Sequence, residues 1–334
     1  MSVRFLNLLA GAALAVAVAT SPAKAQTVIK LGHFGPGSDA FSVTVEAFAA
    51  ELEARSDGRL KVQIFPAGQL GNEKQQISAL QGGLQEMLVT AATNLTNMSE
   101  PLRLLDLPFI FGNYAEADAV TTGDFGARFL TGLESANLSG IALWENGFRV
   151  LTNNKHPIAM PEDMNGLAFR VIGAPVFIDT FTALGAQPVP MPFAEIYSGL
   201  ETGTIDGQDN TALTVDMMKY YEVQKYLTIS NHMYSAMAVL AGKPFLDSLS
   251  AEDRTLLETV VREFGTTQRK MLREAAGKVV DTLADVHKME VIRELTPEQL
   301  AAFRAAVAPV IAKTVTAGLE PLYGEMGARI DAAE

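Results

Sequence analysis

The chain has 334 residues, 48% of them hydrophobic, which at the usual ~100 to 200 residues per domain is enough to fill two cores. Its 38 acidic against 26 basic side chains give a formal net charge of -12, which argues against a nucleic-acid backbone or an anionic membrane surface as partner. The absence of cysteine excludes a disulfide framework, a thiol nucleophile and a thiolate metal site together.

The chain starts with the marks of an export signal. Arg4 supplies the positive end, residues 8–19 (LLAGAALAVAVA) form an apolar run too short to span a bilayer, and Ala23-Lys24-Ala25 fits an A-x-A cleavage site. Residues 1–25 are therefore set apart as a signal peptide, and the expected mature protein is exported, not membrane-embedded, and begins at Gln26. From there VIKLGHF has strand character and runs into the turn cluster GPGSD. Phe41, Val45, Phe48 and Leu52 recur at helical spacing, and Leu60, Val62 and Ile64 alternate as in a half-buried strand. A helix over 73–81 stops at Gly82-Gly83, and the strand LQEMLVT follows. This alternation predicts an α/β layer fold with a mostly parallel sheet.

A helical stretch is expected over 115–134, and strands over IALWENGFRVLTNN and LAFRVI. Residues 175–184 read as helix, GAQPVPMPF as extended through its prolines, 194–201 as a short helix, and GTIDGQDN as a strand ending in a turn. Residues 234–241 form another apolar strand. Ser250, with Asp253 three residues on, caps a long helical stretch reaching about Met289; VIRELT is a strand, and Thr296-Pro297 with Gln299 opens the last helical region.

Few constellations in this sequence carry chemistry. The histidines at 33, 156, 232 and 287 have no metal-binding spacing, GHFGPGSD lacks the order of a phosphate loop, and no G-x-S-x-G elbow occurs. No metal, cofactor or catalytic residue is implied. Two arginines stand out, because Arg149 in WENGFRVLTNN and Arg170 in NGLAFRVIG each interrupt a short apolar run. Arginine stays ionised, and a buried charge without a partner costs several kcal/mol or more. Each arginine either sits on an edge strand or pairs with a core carboxylate such as Glu145, Asp179 or Asp206, or it points into a cleft and holds an oxyanion with its guanidinium fork. Asn210, at the end of Asp206-Gly207-Gln208-Asp209-Asn210, could donate to the same anion.

WENGFRVLTNN, NGLAFRV, GAQPVPMPFAEIYSGLETGTIDGQDN and YEVQKYL, preceded by FPAGQLGNEKQQISALQGG and LLDLPFIFGNYAEA, resemble the substrate-binding proteins of tripartite ATP-independent periplasmic (TRAP) transporters of the DctP type, in order and spacing over nearly the whole chain after the signal. The resemblance implies a two-lobe α/β periplasmic binding fold with a ligand cleft between the lobes and a long connecting helix. It implies lobe 1 from 26–147 and 236–275, and lobe 2 from 148–235 and 276–334. It further implies a periplasmic receptor that captures a small organic acid, a C4-dicarboxylate or a sugar acid, and delivers it to the membrane permease subunits. On the matching motifs, Arg170 makes the bidentate carboxylate contact, Arg149 supports it, Asn210 contacts the same carboxylate and Phe193 packs on the ligand. His33, Glu73 and Asn94 are the first-lobe candidates. Three positions depart from the family pattern: Asp209 stands for a glutamate and is expected to be harmless, Glu86 for an aspartate, and Ile172 for a proline. Two other readings remain: an exported enzyme acting on a carboxylate through Glu73, Glu86 or Asp206, and a sensor subunit with the same binding chemistry.

Overall fold

The computed structural model describes residues 26–333, so the signal segment and its cleavage point after Ala25 lie outside the described residues. In chain order the elements are β1 (Thr27–Gly32), α1 (Ala40–Arg55), β2 (Leu60–Phe65), α2 (Glu73–Gln81), β3 (Met87–Ala91), α3 (Tyr114–Thr121), α4 (Gly123–Arg128), β4 (Leu138–Asn153), β5 (Ala168–Val171), α5 (Pro175–Ala183), β6 (Gln187–Pro190), α6 (Ile196–Glu201), β7 (Gly207–Thr211), α7 (Ala212–Met217), β8 (Tyr226–Thr228), β9 (Tyr234–Gly242), α8 (Lys243–Ser248), α9 (Ala251–Asp281), β10 (Glu290–Ile292), α10 (Pro297–Thr314) and α11 (Glu320–Asp331).

The strands run in the order β2-β1-β3-β9-β4-β7-β5-β6, with β8 also on β4 and β10 on β8. The sheet is mixed and not mostly parallel. β1 pairs parallel with β2 and β3, and β5 with β6 and β7, but β9 and β4 enter antiparallel to their neighbours. The sequence alternation shows strand and helix but not the direction in which a strand returns, and the two strands that break the parallel pattern are those that cross between the two halves.

β4 is the shared strand. Its first part, from Leu138 to Phe148, pairs with β9, and its last part, from Arg149 to Asn153, pairs with β7. The register with β9 slips between Glu145 and Gly147, where Gly147 takes a φ of 113°, a value that a side chain would strain. Buried residues cluster on both faces of each half. On β9, Ala236, Ala238 and Leu240 join one cluster while Met237, Val239 and Ala241 join another, as the two-residue period of a strand buried on both sides requires. Phe169 and Val171 of β5 pack with α5 and α10, and Val150 of β4 packs with α6, α7 and the end of α9. The result is two α/β lobes, each a sheet between helical layers. Residues 276–314 pack with the second lobe's clusters, but α11 does not: Leu322, Met326 and Ile330 belong to the cluster of α2, α3 and α4.

Several local signals act as read. Ser250 Oγ accepts from Asp253 N at 3.1 Å at the start of α9, and Thr296 and Gln299 form a reciprocal capping box. The α9 helix has 31 residues, about 46 Å at 1.5 Å per residue, long enough to lie along both lobes. It ends in a single π turn, Thr282–Val286, short of the expected Met289. Ser250→Ala should lower stability by about 1 kcal/mol, the usual cost of losing an N-cap, read as a lower urea midpoint at unchanged slope. The stretch expected as one helix over 115–134 divides into α3 and α4, because Thr122 is extended and Gly123 takes a φ of 60°. GQDNT is itself a strand, β7, and not a turn. A Cβ on Gly207 would sit 2.4 Å from Thr152 O, so this glycine permits close strand approach.

Candidate functional site

The cavity between the lobes has a volume of about 1040 Å³. Its candidate binding residues lie at or just past the carboxyl ends of parallel strands, where open α/β sheets collect ligands. Arg170 is the third residue of β5, Asn210 the fourth of β7, Phe193 follows β6 and Asn94 follows β3. Arg149 comes from β4, where that strand passes from one sheet to the other. All five line the cavity, as does Glu73 from the first turn of α2. His33 does not: it is fully buried against Phe41, with ring centroids 5.8 Å apart and neither ring nitrogen hydrogen-bonded. Burial holds its pKa down despite the nearby Asp39 carboxylate. Its place one residue past β1 put it near the cleft in sequence, but its ring turned inward.

The two arginines have different partners. Arg149 is 1% exposed; its Nε donates to Asp209 Oδ2 at 2.5 Å and its Nη2 to Asp209 O at 2.6 Å. The guanidinium lies over the Phe177 ring, 5.2 Å from its centroid, and His232 Nε2 faces Asp209 Oδ2 at 3.5 Å. Burial alone would raise the pKa of the Asp209 carboxyl, but Arg149 and His232 hold it well below the usual range. Asp209 is therefore not an inert neighbour of Asn210, as its reading as a shortened glutamate had it, but the counter-ion of Arg149. The other carboxylates considered as partners are engaged elsewhere: Glu145 with Arg273 at 2.5 Å, Asp179 with Lys313 at 2.7 Å and Asp206 with Lys155 at 3.0 Å.

Arg170 is 3% exposed and forms no ion pair among the described residues. Its Nε and Nη2 donate to one acceptor, Met191 O, at 3.0 and 2.8 Å. Burial lowers its pKa to about 10, with Asp209, Tyr220 and Glu73 opposing the fall and Arg149 adding to it, so it remains a cation at neutral pH. Since Arg149 and Asp209 pair with each other, Arg170 is left as a buried cation without an ion-pair partner among the described residues, steered by a backbone carbonyl and lining the cavity. Beside it, Asn210 Nδ2 donates to Gln208 Oε1 at 2.6 Å, which fixes the amide, and Asn94 Nδ2 donates to Thr90 Oγ1 at 3.0 Å. Phe193 N donates to Glu73 Oε1 at 3.4 Å, a link between the lobes.

This geometry suits an anion and disperses the catalytic candidates. Glu73 faces the cavity, but Glu86 Oε2 accepts from Lys30 N at 2.8 Å and Asp206 Oδ2 accepts from Ala168 N at 2.9 Å, both outside the cavity lining. The Glu86 departure therefore changes nothing that faces Arg170, whereas Ile172 does line the cavity. Sequence reasoning missed Met191 O, Asp209 and His232. The one available signal was the composition of β7, in which Gln208, Asp209, Asn210 and Thr211 are consecutive polar residues, all buried in the folded chain. Among the described residues, no helix is long and apolar enough to cross a membrane.

The family model for bacterial extracellular solute-binding proteins, family 7 (DctP), matches residues 31–317. The chain is 36% identical over 294 residues to the 2,3-diketo-L-gulonate-binding periplasmic protein YiaO of Escherichia coli, covering 88% of each chain. It is 33% identical over 309 residues to the C4-dicarboxylate-binding periplasmic protein DctP of Rhodobacter capsulatus, covering 92% of each. Among solved structures it is similar to the sugar acid binding protein DctPAm from Advenella mimigardefordensis in complex with galactonate, with a TM-score of 0.88 and 31% identity over 93% of this chain and 99% of that one.

Proposed function

The chain belongs to the bacterial extracellular solute-binding proteins of family 7, the DctP family of TRAP transporters, and on that premise we propose that it captures a small organic acid in the periplasm and passes it to the membrane permease subunits. The observation that carries the ligand class is Arg170: a buried cation aimed by Met191 O, without a carboxylate partner, lining the interlobe cavity. A carboxylate would seat on the guanidinium fork, with Asn210 beside it, Phe193 against the carbon chain and Arg149 holding the wall. Glu73 and Asn94 would meet the far end of the ligand. The relatives bind sugar acids and dicarboxylates, which supports an acid of that kind here.

For the lobes we take 26–147 and 236–275 as the first, and 148–235 with 276–314 as the second, and count α11 with the first because its apolar face packs there. Closure about β4, β9 and α9 would then join the two walls and form the surface that the permease reads. The chain releases its ligand unchanged in this reading, and recovery of a chemically altered acid after incubation would argue for an enzyme instead.

A thermal-shift panel of succinate, malate, D-galactonate, D-glucuronate and neutral sugars tests the proposal. An acid at a hundred times its Kd should stabilise the folded state by about 2.7 kcal/mol and raise the melting temperature, while neutral sugars leave it unmoved. A panel in which no acid shifts the transition would sink the reading.

A further inference from the structure

Near Arg149 and Asp209 lies an acid that ligand capture, as described, does not use. Asp106, in the stretch Leu104-Leu105-Asp106-Leu107, is 3% exposed and forms no ion pair among the described residues. Its Oδ1 accepts from Thr93 Oγ1 at 2.8 Å, and its Oδ2 is buried with no hydrogen-bond partner. The groups that face it are the Thr93 hydroxyl from the turn Ala92–Leu95, Arg149 from β4 and Asp209 from β7. Asp209 is in turn faced by His232, whose Nδ1 lies 2.7 Å from Ser230 Oγ. A further oxygen of the same cluster, Asp209 Oδ1, is also buried without a hydrogen-bond partner.

An ionised carboxylate with an orphaned oxygen beside a second carboxylate is unfavourable twice, by desolvation and by like charge. A proton on Oδ2 removes the charge and turns an unsatisfied acceptor into a donor. Burial pushes the Asp106 pKa up to about 7, against the Thr93 hydrogen bond and Arg149, with Asp209 adding to the rise. The charge count of the site gives that proton a consequence. With Asp106 neutral, Arg149, Arg170 and Asp209 leave one positive charge, which a ligand carboxylate cancels. With Asp106 ionised, these four buried groups already sum to zero, and a ligand carboxylate makes the sum negative.

We propose that Asp106 is a proton-carrying residue that sets the charge of the anion site, so that capture of a carboxylate is linked to proton uptake and weakens as pH rises through neutrality. The inference rests on the reading that an acid group sits on Arg170. The sign follows from linkage: the ligand's negative charge disfavours ionised Asp106, so the complex holds the proton to higher pH than the empty protein, and between those two points binding takes up a proton. Through-space coupling at an effective dielectric of ~20 makes the expected loss of affinity about tenfold from pH 5.5 to 8.5.

The test uses the whole mature chain and whichever of D-galactonate and succinate the panel shows to bind. Calorimetry of the wild type at pH 7 in two buffers of different ionisation heat should show fractional proton uptake on binding, and Kd should rise about tenfold between pH 5.5 and 8.5. Infrared spectra of the ligand-free protein at pH 6 should contain a protonated-carboxyl C=O band that fades by pH 8.5 and is absent from Asp106→Asn, whose Kd should be nearly flat with pH. A missing band at pH 6, or an unchanged slope in Asp106→Asn, overturns the proposal; the second outcome would assign the slope to another group. A wild type that binds with one Kd at both pH values also overturns the proposal, while the functional reading stands. Failure to bind any acid removes the functional reading with it.

Discussion

Arg170→Ala should weaken acid binding by about thirty- to several-thousand-fold, the equivalent of the roughly 2 to 5 kcal/mol lost when one side of a buried charge pair is truncated. The size follows from the surroundings of this side chain. No described carboxylate forms an ion pair with it, and its low exposure keeps water from screening the contact. Arg170→Lys should fail nearly as badly, because an ammonium cannot donate twice to Met191 O and still present a fork to a carboxylate. Titration calorimetry with the acid found by thermal shift decides the matter: wild-type affinity in either variant would end the anchor role. Circular dichroism should show both variants folded, since the lost hydrogen bonds to Met191 O are offset by removal of a buried charge that has no ion-pair partner.

Asp209→Ala should act on stability first. It removes the carboxylate that neutralises Arg149, both groups being almost wholly buried, and leaves a cation whose remaining partners are a carbonyl, polar atoms at 3.5 Å and the face of Phe177. Breaking a buried pair in this way costs about 3 to 5 kcal/mol, so the urea midpoint should drop sharply. Asp209→Asn keeps the shape and loses the charge, and should fall in the same direction. Because the folded carboxyl of Asp209 is held below its ordinary value, its contribution is present above about pH 4 and lost as the pH falls further. The gap between wild type and Asp209→Asn should therefore narrow in acid. A loss under about 1 kcal/mol at neutral pH would mean that the pair is better solvated than its burial implies.

The two effects separate the roles of the arginines. One is a tool held ready by a backbone carbonyl, and the other is part of the wall that holds it. Alanine at 170 should impair binding in a stable protein, and alanine at 209 should impair stability and, through Arg149, binding as well.

Much of this was already written in the chain. The helix over 73–81, the caps at Ser250 and Thr296, and the strands around Arg149 and Arg170 follow from periodicity and capping chemistry, which depend on residues three or four apart. The two charges interrupting apolar runs also marked the right strands, and the order of motifs pointed to the two-lobed fold. Sequence could not say which arginine was already neutralised. That depends on β4 meeting β7 in a register that sets Arg149 opposite Thr211 and so brings it to Asp209, 60 residues further along the chain. Nor could it tell that His33 turns into a core, that α11 packs with α2, α3 and α4, or that Asp106 comes to lie near Arg149 and Asp209. Local conformational preference is settled by near neighbours, but charge pairing and burial are settled by what the folded sheet brings across the gap, and a linear chain does not record that distance.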